Sequence, residues 1–423
     1  MSVRKPFFIL LGLLVAAGAG SYLTQQPTVF VYYRVIYLLL AVIVLGAVWA
    51  FFSLRGLTVS RTARILRHQV GQVFEERFEV KNTTWFGRLW VEVKDITPIP
   101  GKQGSRVISN IGPRQGRSYF TRTLLSLRGA FRLGPTRLYS GDPFGLFSVS
   151  KEIEAEKTLL VLPYLVRLDV FPTPAGILPG GRALRRKSLE VTPYAAGVRE
   201  YVPGDPLNRI HWRTTARKDR LMVKEFEQDP QADIWIMLDT QEGVHTSLPD
   251  TRRAEDRDLF WIVPHKLEIP LPPSTFEYAV SAAASIANYY ISRGRSVGFS
   301  SAGRTLNNIP AERGERQLAK ILETLAFVQA DGQLSIIGLI EGQANQIPRG
   351  STVVMVTTLI TEEIGLAVDI ILRRDLKPIV VFIDSNSFGA TWNTDGSSER
   401  LKAYGIPVKI IRKEDNLQAA LEG

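Results

Sequence analysis

The sequence predicts a multidomain protein in which a pair of transmembrane helices is followed by a small antiparallel β-sandwich and then an α/β domain on a mostly parallel sheet. Three observations predict it. Two apolar runs, Phe7 to Leu23 and Val35 to Phe52, open the chain. Short alternating runs punctuated by glycine and proline follow from Leu57 to about Leu168, and from Ile234 onward buried-strand runs alternate with helical periods. The boundaries are drawn at 1–55 for the hairpin, 56–168 for the β-sandwich, 169–229 for a connector and 230–423 for the α/β domain.

Each apolar run is just long enough for a membrane helix, which needs about 20 residues. Arg4 and Lys5 precede the first, and Arg55, Arg61, Arg64 and Arg67 follow the second, while Gln25, Gln26, Pro27 and Arg34 lie between them. Positive charge at both outer ends predicts a hairpin with both ends cytoplasmic in the inner membrane. A cleaved signal peptide, suggested by the small residues Ala16 to Ser21, is the competing reading of the first run. The second run would still stop transfer with its basic flank inside.

The β region reads from Val73-x-Glu75, Phe78-x-Val80, Leu89-x-Val91-x-Val93, Tyr119-x-Thr121, Phe131-x-Leu133 and Leu159-x-Val161. Asp142-Pro143-Phe144-Gly145 has Asp first, Pro second and Gly last, the order a type I turn favours. Phe144, Leu146 and Phe147 are expected to pin that turn onto the next domain. The connector is Gly/Pro-rich and holds the basic cluster Arg182, Arg185, Arg186 and Lys187. In the C-terminal half the pattern predicts strands at 234–238, 296–299, 352–356, 379–383 and 408–411. Helices are predicted at 276–291, 312–327, 362–373, 397–404 and 416–421.

A net charge of +11 suits nucleic acid, an anionic membrane surface or acidic partners, and membrane proximity is the cheapest explanation. The absence of cysteine excludes disulfides, thiolate chemistry and cysteine-based zinc sites. No phosphate-binding loop, His-Glu-x-x-His or nucleophile elbow is present. His245 and His265 share one insertion without a cluster of acids, a poor case for zinc.

The most specific segment is Gly197 to Asp229. Pro203-Gly204 breaks an extended run, and Asp205 followed by Pro206 predicts the start of a short helix. On it Arg209, Arg213 and Arg217 share one face, while Leu207, Ile210 and Trp212 turn inward. Lys218-Asp219 then leads into a strand through Leu221 and Val223.

This segment, with Arg199-x-Tyr201, Gly204-Asp205, Arg209-Ile210-His211-Trp212-Arg213, Ala216-Arg217 and Lys224-Glu225, resembles the signature of the bacterial family known as domain of unknown function 58. A second match lies upstream, where Arg128-Gly129-x-Phe131-x-Leu133-Gly134-Pro135 precedes Asp142-Pro143-Phe144-Gly145-Leu146-Phe147. The resemblance implies a protein found alongside MoxR-type AAA+ ATPases and other A-domain proteins, with no established chemistry.

The order of elements after Ile234 is similar to von Willebrand factor A domains, in which Asp-x-Ser-x-Ser plus a distant Thr and Asp hold magnesium. Here the run is Asp239-Thr240-Gln241-Glu242-Gly243, and Thr357-Thr358 stands where the distant acid belongs. The resemblance therefore implies a degenerate site: no cofactor is expected, and Asp239, helped by Thr240 or Glu242, is the one candidate ligand for Mg²⁺. Residues 243–273, with Asp256, Phe260 and Trp261, form an insertion over that strand edge.

Three functions fit. The first is a membrane-anchored scaffold or adaptor working with a MoxR-type AAA+ ATPase. The second is anionic-ligand binding at the Arg209, Arg213 and Arg217 ridge, with phospholipid headgroups favoured over nucleic acid because aromatic-interleaved basic grooves are missing. The third is a hydrolase using Asp205, His211 and the arginines. The position of 197–229, just before the first strand of the α/β sheet, favours an ionic clasp between domains in which Asp205 and Trp212 are structural.

Overall fold

The structure is a computed structural model that describes residues 1–23, 29–101, 104–154, 156–172, 195–203, 205, 207, 210–226, 233–249, 271–358, 362–391 and 397–423. The chain divides into two compact units. One comprises residues 1–166, 247–284 and 322–328, and the other 167–246, 285–321 and 329–423.

The first unit begins with a two-residue strand β1 (Ser2–Val3) and the apolar helices α1 (Lys5–Leu23) and α2 (Val29–Ser53). Both are long and apolar enough to cross a membrane. The second helix starts before the apolar run at Val35, because the aromatic residues ahead of it continue the helix through Arg34. Then come β2 (Leu57–Ala63), β3 (Arg67–Gln69), β4 (Val73–Asn82), β5 (Arg88–Asp95), β6 (Arg106–Ile111), β7 (Gly116–Leu124), β8 (Gly129–Arg132), β9 (Thr136–Gly141), β10 (Phe147–Ile153) and β11 (Thr158–Leu162). The runs at Val73 and Phe78 are one strand, with Phe74, Phe78 and Val80 facing inward at alternate positions.

An antiparallel sheet β2-β4-β7 and a second, β1-β10-β9-β5-β6, supply the two sides of one core. Phe78, Val80 and Tyr119 from the first meet Val91, Val93, Ile111 and Leu138 from the second. The Phe78 and Tyr119 rings stack 5.2 Å apart. A smaller sheet, β3-β11-β8, covers a separate cluster around Phe74, Leu125 and Leu159.

The second unit contains the antiparallel pair β12 (Ala195–Glu200) and β13 (Met222–Phe226), with α3 (Trp212–Lys218) between them in sequence. Its main sheet is formed by β14 (Ile234–Leu238), β15 (Val297–Ala302), β16 (Leu306–Glu312), β17 (Thr352–Thr357), β18 (Lys377–Ile383) and β19 (Val408–Ile411). The order is β16-β15-β14-β17-β18-β19, all parallel except β16. The chain thus winds outward from β14 in one direction and then, from β17, in the other. The crevice beyond the carboxyl ends of β14 and β17 is where such sheets bind ligands.

The helices along this half are α4 (Thr275–Ser292), α5 (Glu315–Phe327), α6 (Ile336–Gln343), α7 (Glu362–Arg373), α8 (Ser397–Ala403) and α9 (Leu417–Glu422), with α4 and α5 contributing residues to both units. Two differences from the sequence reading stand out. Glu312 ends the edge strand β16 instead of starting a helix, because Gly314 intervenes and the helix begins at Glu315. Ile336–Gln343 is a helix, capped by the Ser335 hydroxyl, which accepts from the Gly338 N–H at 3.3 Å.

Candidate functional site

The signature segment folds as a strand, a loop, a short helix and a returning strand. Arg199 on β12 makes a two-pronged ion pair with Asp205, each guanidinium nitrogen 2.7 Å from a carboxylate oxygen. The same carboxylate accepts from the Val202 N–H at 3.0 Å. Asp205 is therefore not a helix cap; its oxygens are committed to closing the 199–205 loop. The helix starts seven residues later, at Trp212, and its cap is His211, whose Nδ1 accepts from the Thr214 N–H at 3.2 Å and bonds the Thr214 hydroxyl at 2.7 Å.

Of the inward-facing set, Ile210 is buried, but Leu207 and Trp212 are 68% and 67% exposed. The expectation that Trp212 packs into the protein is overturned: with the helix shifted, it projects outward beside Arg213. Arg213 and Arg217 are both exposed and share the helix surface, while Arg209, the third member of the expected ridge, and Gly204 lie outside the described residues. Tyr201 is tied by its N–H to the Leu221 carbonyl at 2.8 Å. Lys224 and Glu225 lie on β13, opposite Val198 and Gly197.

Asp239 ends β14 at the crevice and is nearly inaccessible. One carboxylate oxygen accepts from the Thr357 hydroxyl at 2.7 Å and the other from the Gln241 N–H at 3.1 Å. Burial raises its pKa, and the hydrogen bonds from Thr357 and Gln241 pull it back in part. Thr358 reaches the Val244 carbonyl at 2.8 Å, so both threonines hold the loop after β14 against β17.

Mg²⁺ prefers several hard oxygens plus retained water. The Asp239 carboxylate is already engaged on both oxygens and enclosed, Glu242 is exposed, and no cluster of three metal-ligating His, Cys, Asp or Glu occurs among the described residues. The residues do not fit a magnesium site; Asp239 and Thr357 join two strand ends directly. Asp256, Phe260, Trp261 and His265 of the insertion, and the basic cluster 182–187, lie outside the described residues.

His245 follows in the same loop, with Nε2 3.1 Å from the Asp239 carbonyl. Burial pushes its pKa down from 6.5 to about 4. Between those values the unfolded chain binds the proton better, so His245 makes stability fall as pH drops from 6.5 toward 4. Because the ring is only part-buried, about 1–2 kcal/mol is the expected size. His245→Gln should flatten this acid limb in melting temperatures measured across that window.

The upstream motif builds two further constellations, both in the first unit. Asp142, 2% exposed, accepts from three backbone N–H groups, those of Phe144 (2.9 Å), Leu146 (3.2 Å) and Phe147 (2.6 Å). Gly145 sits at φ +71° and donates to the Asp142 carbonyl at 3.3 Å, a conformation that favours glycine. Leu146 and Phe147 pack on Ala50, Val42, Ile43 and Ala47 of α2 and on Phe7 and Leu10 of α1. The turn was expected to pin the next domain; it pins the apolar helices, and Phe144 points away, 53% exposed.

Arg128, before β8, is almost buried. Its Nε and one terminal nitrogen donate to the carbonyls of Leu325 (2.9 Å) and Val328 (2.6 Å) at the end of α5. The other terminal nitrogen pairs with Glu277 on α4, and the guanidinium lies 5.1 Å from the Phe276 ring centroid. A cation at a helix carboxyl end is where the backbone dipole and the orphan carbonyls favour it.

Residues 197–257 match the family described as "Protein of unknown function DUF58", and the match begins at the segment with the Arg199–Asp205 pair and the His211-capped helix. Over that segment the chain is similar to the DUF58 family. The uncharacterized protein YeaD of Bacillus subtilis is 24% identical over 328 residues, spanning 75% of this chain and 74% of YeaD. Among solved structures, the CARDB domain of a Pyrococcus furiosus protein in complex with di-metal ions is similar over 25% of this chain and 91% of its own, at 17% identity and a TM-score of 0.18. A β-glucosidase from Listeria innocua is similar over 23% of this chain and 16% of its own, at 8% identity and a TM-score of 0.14.

Proposed function

We propose that this protein is a membrane-anchored, cytoplasm-facing adaptor whose signature helix docks an acidic protein surface, with a MoxR-type AAA+ ATPase as the partner class its family resemblance implies. The observation that carries the reading is the face of α3. Trp212 stands 67% exposed beside exposed Arg213 and Arg217. Trp and Arg are the residue types most enriched among interface hot spots, and an outward tryptophan serves no core. The loop beneath is held by the Arg199–Asp205 pair and the His211 cap, so the face is preorganised.

Anchoring and orientation rest on α1 and α2, whose basic flanks favour both ends inside. The doubly wound strand order supports an A-type sheet in which the Asp239–Thr357 bond replaces the metal. The test is capture of the ATPase, with and without nucleotide, by the full-length protein in lipid vesicles. Trp212→Ala should weaken capture by about 30-fold or more at unchanged melting temperature. A wild-type protein that captures no ATPase in any nucleotide state would end this assignment. Capture insensitive to Trp212 but lost with Arg213→Ala and Arg217→Ala, and steeply salt-dependent, would favour the anionic-ligand reading instead.

A further inference from the structure

We propose that the turn Asp142–Phe147 is a re-entrant foot that sits in the bilayer beside α2, with Phe144 facing lipid and the neighbouring Trp85 loop at the membrane surface. The proposal rests on the reading of α1 and α2 as membrane-spanning. Depth along α2 points into the bilayer. A helix rises about 1.5 Å per residue, so the apolar run from Val35 to Phe52 covers about 27 Å, close to the ~30 Å thickness of the hydrocarbon layer. Val42, Ile43 and Ala47, which touch Leu146 and Phe147, lie inside that stretch. A segment packed on them lies at the same depth.

Backbone pairing points the same way. Irregular backbone is tolerated in lipid only when its polar groups are paired within the protein. The N–H groups from Phe144 to Phe147 meet this demand: Phe144, Leu146 and Phe147 donate to the Asp142 carboxylate, and Gly145 donates to the Asp142 carbonyl. The Leu146 carbonyl is taken by the Arg4 N–H at 2.9 Å, and β1 pairs with the start of β10.

Aromatic rings mark a level beside the turn. Trp49, in the last turn of that run, meets Phe86 with ring centroids 4.7 Å apart. Phe86 belongs to a loop that Asn82 holds from inside, accepting from the Thr84 N–H at 3.1 Å and donating to the Phe86 carbonyl at 2.7 Å. This rigid loop presents Trp85 81% exposed. Tryptophan collects at the boundary between hydrocarbon and headgroups, the level that Trp49 marks.

The chain has no cysteine, so single cysteines can be placed and spin-labelled in the full-length protein reconstituted into phosphatidylethanolamine/phosphatidylglycerol vesicles. Four positions decide the matter: Phe144→Cys, Trp85→Cys, Leu38→Cys on the 65% exposed face of α2, and Ile65→Cys, 59% exposed beyond the far end of β2. The readout is collision with oxygen, which partitions into lipid, against a water-soluble nickel chelate. Position 144 should match 38, several-fold above 65 in its oxygen-to-nickel ratio, and position 85 should fall between them. If 144 matches 65 while 38 reads as lipid, the foot is overturned and the membrane helices stand. If 38 also reads as water, the membrane reading itself falls. Pro143→Cys supplies the same readout should Phe144→Cys fail to insert, and a water-like ratio there overturns the foot equally.

Discussion

Arg128→Ala is expected to destabilise the first unit by about 3 kcal/mol, because it strips one side chain that serves three groups at once. Glu277, 21% exposed, loses its counter-charge, and the Leu325 and Val328 carbonyls lose their donors. For a unit of this size such a loss corresponds to a fall of about 10 °C in the melting temperature of the purified full-length protein. Arg128→Lys separates fork geometry from charge: an ammonium can answer Glu277 but cannot span two carbonyls as well, so it should recover only part of the loss. A double-mutant cycle with Glu277→Gln then isolates the ion pair. A melting temperature unchanged in Arg128→Ala would mean that the clasp contributes nothing.

Asp142→Ala should be comparable in size, about 2–4 kcal/mol, since three buried N–H groups lose their acceptor and the cavity offers no replacement. Asp142→Asn is the sharper variant. It keeps one acceptor oxygen but turns the other into a donor facing N–H groups, so it too should destabilise, though less. The observable is both the melting temperature and protease resistance of the turn in membranes, because Leu146 and Phe147 come off α1 and α2 when the turn opens. Wild-type resistance in both variants would remove Asp142 from any structural role.

Much of this fold is legible because its signals are local. Buried parallel strands such as Ile234–Leu238 and Thr352–Thr357 read as continuous apolar runs, and the helix Glu362–Arg373 matches its expected range because its period is unbroken. The misses arise where local chemistry is ambiguous. Gly338 and Gly342 disguised the helix Ile336–Gln343, and Pro310 with half-exposed neighbours disguised the edge strand Leu306–Glu312.

In the signature, Asp205-Pro206 is an excellent helix start in isolation, but the cross-loop guanidinium of Arg199 outcompetes the backbone for the carboxylate. The capping role then passed to His211, a residue with weaker capping preference, and Trp212, now the first residue of α3, turned outward while Arg213 and Arg217 kept their shared exposed surface. The targets of Arg128 and of the Asp142 turn were not legible. They lie far away along the chain, and no periodicity encodes a long-range partner.

The pairing of Ser2 and Val3 with Ser148 and Phe147 also has a consequence for synthesis. Ser2 and Val3 find their strand partner only after the chain has been made as far as Ser148. Closing so long a loop is slow, so β1 is among the last strands to join its sheet. Until then α1 and α2 wait with Phe7 and Leu10 uncovered, and the arrival of Phe147 completes both the strand ladder and the helix contact in one event. A bulky fusion at the amino terminus should therefore delay maturation of the protein more than a fusion at the carboxyl terminus.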